Sequence, residues 1–158
     1  MEAVPQSLFS RDYDVLENSR KIADIDMAWW GERADVLIDN TTYKINKQGF
    51  IKQTFSLLQG SQVLATARKE SLLSREYVVE IGGTRYYLKR KSWLHRAMSL
   101  SNDITSLGVI RPRGFLKRGT IVDLPEEITL PVKVFVIWLV LLLWRREKNN
   151  NAAGSDSG

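Results

Sequence analysis

Short runs in which apolar and polar residues alternate recur along this chain as far as residue 131, and then polarity disappears over residues 134–144. Alternation with period two marks half-buried strands, because successive side chains in a strand point to opposite faces. Residues 76–81 and 84–89 flank Gly82-Gly83. Both central positions of a type I′ turn need positive φ, so a Gly-Gly pair between two β-rich runs predicts a two-residue hairpin. Pairing outward from that turn sets Ile81 against Thr84, Val79 against Tyr86 and Tyr77 against Leu88 on one face. The other face takes Glu80 with Arg85, Val78 with Tyr87 and Glu76 with Lys89. One face is then largely apolar and the other carries two opposite-charge pairs, which cross-strand contacts favour. Gly60-Ser61, between the apolar-rich runs 50–58 and 63–67, predicts a second hairpin with a type II′ turn. Ala23, Ile25, Met27 and Trp29 alternate with Asp24 and Asp26, and runs 36–38, 43–45, 93–100, 104–110 and 114–122 continue the series. Strand candidates spaced by about 8 to 12 residues predict an antiparallel barrel or sandwich.

The run at 134–144 has a different period and a different meaning. A membrane-spanning helix needs about 20 mostly apolar residues, and this run at about 1.5 Å per residue covers only about 16 Å. Lys133 and Pro131 stop its extension backwards, and Arg145, Arg146, Glu147 and Lys148 stop it forwards. A helix apolar on every side and this short belongs to the centre of a protein core. The alternative is a tail anchor crossing a membrane once through 132–146, with Trp138 and Trp144 at the interfaces and the following cations on the cytoplasmic side. Pro131 suits a first helical turn, and Arg145, Arg146 and Lys148 complement a helix C-terminus near 146. Residues 1–10 and the Asn-, Gly- and Ser-rich 149–158 read as disordered ends. A single domain at 11–148 remains, with its core helix at 131–146.

Composition narrows the class. The chain's 158 residues suffice for one domain with a sizeable core, and 44% hydrophobic with 26% charged residues argues against general disorder. The absence of cysteine removes disulfides, thiolate metal sites and thiol nucleophiles, and it suits a reducing compartment. Residues 1–10 show neither the basic nor the apolar region of a secretory signal, so a cytoplasmic location is the default expectation. The net charge of +5 conceals an asymmetry: residues 1–40 carry nine acids and four bases, whereas 85–118 carry nine bases and one acid.

The succession of short strands from about Asp12 to Val122, the Leu124-Pro125 turn and the apolar helix ending in Trp144-Arg145-Arg146 resembles the tubby C-terminal-like superfamily. That group includes LURP-one-related proteins, phospholipid scramblases and compact bacterial members. Gly82-Gly83, Tyr86-Tyr87-Leu88, residues 107–110 and Leu124-Pro125 are the better anchors of the resemblance. It implies a mainly β fold, a closed antiparallel β-barrel of about 10 to 12 short strands around a hydrophobic C-terminal central helix. It also implies binding functions, among them phosphoinositide or membrane binding, DNA-linked regulation and lipid scrambling. No headgroup motif of that superfamily maps onto this chain, so the resemblance assigns no binding residue.

The residue inventory offers little catalysis. His95 is the sole histidine and lacks the second ligand or orienting partner of a metal site or triad, and no Gly-x-Ser-x-Gly, His-Glu-x-x-His or phosphate-loop pattern occurs. Asp24 and Asp26, with Asp14 and Glu32 nearby in sequence, suggest a calcium or magnesium site far less than they suggest the polar face of a strand. No metal, cofactor or catalytic residue is therefore expected. The polar feature with a plausible ligand is the basic segment: Lys89, Arg90 and Lys91 after the hairpin, and Arg111, Arg113, Lys117 and Arg118 around a Pro-Gly turn. Gathered at one end of a barrel, these form a cationic rim for an anionic membrane surface or lipid. Nucleic-acid phosphate is the competing partner, with Tyr86, Tyr87 and Trp93 available for stacking. The expectation is a non-enzymatic binding module, cytoplasmic and peripheral to a membrane.

Overall fold

The computed structural model describes residues 1–7, 10–28, 31–49, 53–71, 74, 76–91, 96–114 and 119–154. Twelve antiparallel strands close into a barrel around one helix. The strands are β1 (Glu2–Pro5), β2 (Tyr13–Glu17), β3 (Arg20–Met27), β4 (Ala34–Ile38), β5 (Thr41–Gln48) and β6 (Thr54–Gln59). They continue as β7 (Gln62–Lys69), β8 (Tyr77–Ile81), β9 (Thr84–Arg90), β10 (Met98–Ser101), β11 (Ser106–Pro112) and β12 (Thr120–Asp123), followed by α1 (Leu130–Gly154). Each strand pairs with its sequence neighbours, and β1 pairing with β12 closes the ring.

The β8–β9 register matches the sequence pattern, with Ile81 opposite Thr84, Val79 opposite Tyr86 and Glu80 opposite Arg85. Gly82 and Gly83 adopt φ of 55° and 83°. Glu76 lies one residue before β8, so the expected Glu76–Lys89 pair is not part of the ladder. The Gly60-Ser61 hairpin also forms, with Gln59 opposite Gln62. Two further hairpins use non-glycine residues that tolerate positive φ, Asn18-Ser19 and Asp39-Asn40. Trp29, residues 93–95 and residues 115–118, which fell within expected strands, lie outside the described residues.

Antiparallel order puts these two-residue turns, together with 102–105 and the 124–129 lead into α1, at one end of the barrel. The strand ends Pro5, Tyr13, Met27, Ala34, Gln48, Thr54, Lys69, Tyr77, Arg90, Met98, Pro112 and Thr120 lie at the other end, the mouth. The helix enters at the turn end and leaves through the mouth. Eight strands make a barrel that side chains alone can fill, so twelve enclose a lumen that needs a larger filler. Residues 134–140 of α1 are all buried there, against small inward residues such as Ala23, Ala65 and Ala67 and against Phe55. Trp138 sits fully buried at the centre, edge-on to Phe55 with ring centroids 5.3 Å apart. Water never reaches this helix segment, which explains why it carries no polar stripe. The apolar run is thus the core of the barrel and not a lipid-facing anchor, and among the described residues no helix is long and apolar enough to cross a membrane.

Two expectations about the ends need correction. Residues 2–5 form a strand, with Ala3 fully buried, because the ring closes only when β12 finds a partner. The helix also runs to Gly154, beyond the expected 146, and residues 148–154 are exposed as it projects from the mouth. Arg145, Arg146 and Lys148 therefore do not lie at the helix C-terminus. They lie where the helix crosses the mouth.

Candidate anion-binding site at the barrel mouth

The helix exit is held by two clusters of side chains and flanked by a cavity. The first is centred on Arg146, which donates from Nε and Nη2 to the two carboxylate oxygens of Glu32, both at 2.6 Å. The same guanidinium donates to Gln53 Oε1 at 2.6 Å and to the Tyr77 hydroxyl at 3.0 Å, and its carbon lies 5.6 Å from the Phe55 ring centroid. Lys47 adds a second cation to Glu32 at 2.6 Å. Glu32 reaches this position from a left-handed bend, Gly31 at φ 89° and Glu32 at φ 51°. A non-glycine residue there costs on the order of 1 kcal/mol, which the two-pronged ion pair offsets. The hydrogen bonds from Arg146 outweigh the opposing effect of burial, and with Lys47 they hold the Glu32 carboxyl down to about 2. Burial pushes the Tyr77 hydroxyl up despite the nearby Arg146 charge.

The second cluster joins β9, the following connection and the helix. Arg90 donates from Nη2 to Glu147 Oε1 and Oε2 at 2.8 Å each, and Arg96 approaches the same carboxylate at 3.4 Å. Arg96 and Trp144 exchange two hydrogen bonds, the indole donating to the Arg96 carbonyl at 2.9 Å and the guanidinium donating to the Trp144 carbonyl at 3.2 Å. Between these two clusters lies a cleft of about 940 Å³, whose lining includes Lys69, Arg90, Arg146 and Glu147.

The third feature is a cavity of about 560 Å³ on another side of the helix exit. Arg11, Arg96, Arg145 and Lys148 supply its charge, and no carboxylate lines it among the described residues. Thr120, only 1% exposed, is among its lining residues and lies beside buried Ala3, its partner across the ladder. Its hydroxyl has no hydrogen-bond partner, and neither does the buried Nη1 of Arg145. Burial and the neighbouring Arg11 charge both pull the Arg145 guanidinium below the usual arginine range. Tyr13, Met27, Leu141 and Trp144 give the cavity an apolar wall.

The basic segment singled out from sequence is placed less simply than a rim. Arg90 lies at the helix exit but its charge is committed to Glu147. Lys91 is exposed at the mouth. Lys89 and Arg111 alternate with inward Leu88 and Ile110 and so face outward on the wall. Arg113 pairs with Glu2 at 2.8 Å. Lys117 and Arg118 lie outside the described residues. Sequence reasoning missed Arg11, Arg96, Arg145 and Arg146 as site residues. The signal for them was strand parity, which fixes the end at which each connection falls and hence what surrounds the emerging helix.

The acidic positions group elsewhere. Asp14 and Asp24 are cross-strand partners on β2 and β3 and share Lys21, while Asp26 faces Asp35 on β4. Burial and the neighbouring Asp12 and Asp35 push the Asp26 carboxyl up. Among the described residues no group of His, Asp or Glu is arranged to hold a metal ion. No family model, curated protein or solved structure matches the chain.

Proposed function

We propose that this chain is a binding module of the tubby C-terminal-like kind, without catalytic activity, whose barrel mouth docks on an anionic membrane surface from the cytoplasmic side. One observation carries the reading: cations surround the helix exit in excess of the carboxylates committed to them. Glu32 is committed to Arg146 and Lys47, and Glu147 to Arg90 and Arg96. Lys91, Arg145 and Lys148 form no ion pair among the described residues, and Lys69 only stands over the Tyr77 ring at 5.9 Å. Exposed lysines near an acidic bilayer contribute about 1 kcal/mol each. Trp144, at the base of the projecting helix end, is a side chain suited to a headgroup layer.

Co-sedimentation with vesicles tests the reading. Phosphatidylcholine vesicles containing phosphatidylserine should pellet the protein at low salt and release it as the Debye length shortens from about 30 Å at 0.01 M to about 8 Å at 0.15 M. Replacing Lys69, Lys91 and Lys148 together by Ser should weaken low-salt binding by up to about 3 kcal/mol. Equal pelleting of both proteins at every salt concentration removes these lysines from the interface. Preferential retention by duplex DNA added as competitor replaces the membrane reading with a nucleic-acid one.

A further inference from the structure

Opposite walls of the barrel carry opposite charges that the chain itself leaves unpaired. On the outer face of β3 and β4, Asp26 stands across the ladder from Asp35. Both carboxylates are exposed and form no ion pair among the described residues, even though Lys44 on β5 is the other ladder partner of Asp35. Asp12 adds a third carboxylate beside Asp26, so like charges crowd together and repel. Leu37, 44% exposed on the same face, borders with them a cleft of about 370 Å³.

The complement lies half-way round the ring, on β9 and β11. Lys89 and Arg111 are exposed there, and neither has an ion-pair partner among the described residues. Half-buried Val109 shares their outer face, and Asp123, its ladder partner on β12, pairs with neither cation. Asp26, Asp35, Lys89 and Arg111 each stand one residue in from the mouth end of their strands, at Met27, Ala34, Arg90 and Pro112. The two patches therefore lie at one level of the barrel and face opposite ways. Each offers two like charges and one apolar side chain.

We infer that copies of this chain associate side by side, the carboxylates Asp26 and Asp35 of one copy receiving Lys89 and Arg111 of the next. A closed two-fold pair uses the same surface on both partners, whereas these patches differ and point apart. The contact is therefore head-to-tail and repeats along a row. Matching patches at one level of a single chain favour a second copy over an unrelated basic partner, which would make no use of the opposite wall. The equal level also keeps the mouths pointing the same way, so a row leaves each mouth open. The inference is independent of what the mouth binds. So few groups on each face suit a weak contact, strengthened by complementary charge and sensitive to salt.

Sedimentation velocity of the full chain, at concentrations up to about 1 mM where a weak contact is populated, tests the row. Wild type should sediment faster as its concentration rises at about 0.1 M salt, and should lose that dependence at about 1 M, where the Debye length falls from about 10 Å to about 3 Å. This comparison needs no variant. Two double variants, Asp26→Asn with Asp35→Asn and Lys89→Gln with Arg111→Gln, each neutralise one face. Both should keep the wild-type melting temperature, because the four side chains are exposed and unpaired, and each alone should stay monomeric. Mixed, they retain one good face apiece and should form a 1:1 dimer that grows no further. A wild type that stays monomeric at about 0.1 M salt, or that stops at two copies, overturns the inference. So does association undiminished in either variant, or a mixture that stays monomeric or grows beyond the dimer.

Discussion

Arg145 and Arg146 are neighbours on one helix and meet opposite electrostatic fates. Successive helical residues are about 100° apart, so Arg146 meets Glu32, whereas Arg145 lines a cavity to which the described residues contribute no carboxylate. Glu32 is the residue whose titration the fold should report. Its carboxyl is held down to about 2 in the folded protein against an ordinary 4.5. A depressed carboxylate stabilises the fold above its unfolded pKa, and that contribution is lost as pH falls from about 4.5 towards 2. At 1.36 kcal/mol per pH unit the contribution is at most about 3 kcal/mol. Asp26 works in the opposite direction, since its raised pKa favours the protonated, folded form as pH falls. Urea unfolding at pH 6 and pH 3 should show stability dropping with acid in wild type and dropping less in Glu32→Gln, which should already be weaker at pH 6. An unchanged pH dependence in that variant would remove Glu32 as the group responsible.

At the scale of elements, the helix and the barrel are each unworkable alone. The helix has no polar face for water, and the twelve-stranded ring has no other filler for its lumen. Leu139→Asp places a carboxylate in a fully buried position, at a cost of several kcal/mol that rivals the whole stability of a domain this size. That variant should lose cooperative melting, and a chain ending at residue 129 should fail to melt cooperatively as well. A truncated chain melting at the wild-type temperature would show that the strands need no helix. The elements were legible in sequence wherever local chemistry dictated them. Gly82-Gly83 fixed a turn and with it a register, and the lack of an amphipathic stripe in 134–144 marked enclosure. The Asn18-Ser19 and Asp39-Asn40 turns carried suitable residues too, though without a glycine they stood out less against their flanks. β1 escaped notice because Glu2–Pro5 is short and proline-terminated, and its reason to be extended is β12, more than a hundred residues away. The site was legible only as an excess of basic residues. Which of them line the mouth depends on strand parity, and which are neutralised depends on Glu2, Glu32 and Glu147, all remote in sequence.

For the whole molecule, charge is distributed in a way that gives docking a direction. Around the ring five strands lie between β3 and β9 in either sense, so they lie on opposite walls. The wall centred on β3 presents Asp14, Asp24, Asp26 and Asp35, and the wall around β9 and β11 presents Arg85, Lys89 and Arg111. An anionic surface repels the first wall, attracts the second and finds its densest cations at the mouth, so the barrel should meet it mouth first and tilted towards β9 to β11. Paramagnetic broadening by a gadolinium chelate on the headgroups of phosphatidylserine-containing vesicles reads this orientation amide by amide. The account predicts strong broadening at Lys91, Arg111, Trp144 and Lys148 and little at the opposite turns, Asn18, Asp39, Gly60 and Gly82. Broadening concentrated at those turns, or spread evenly over the barrel, would contradict it.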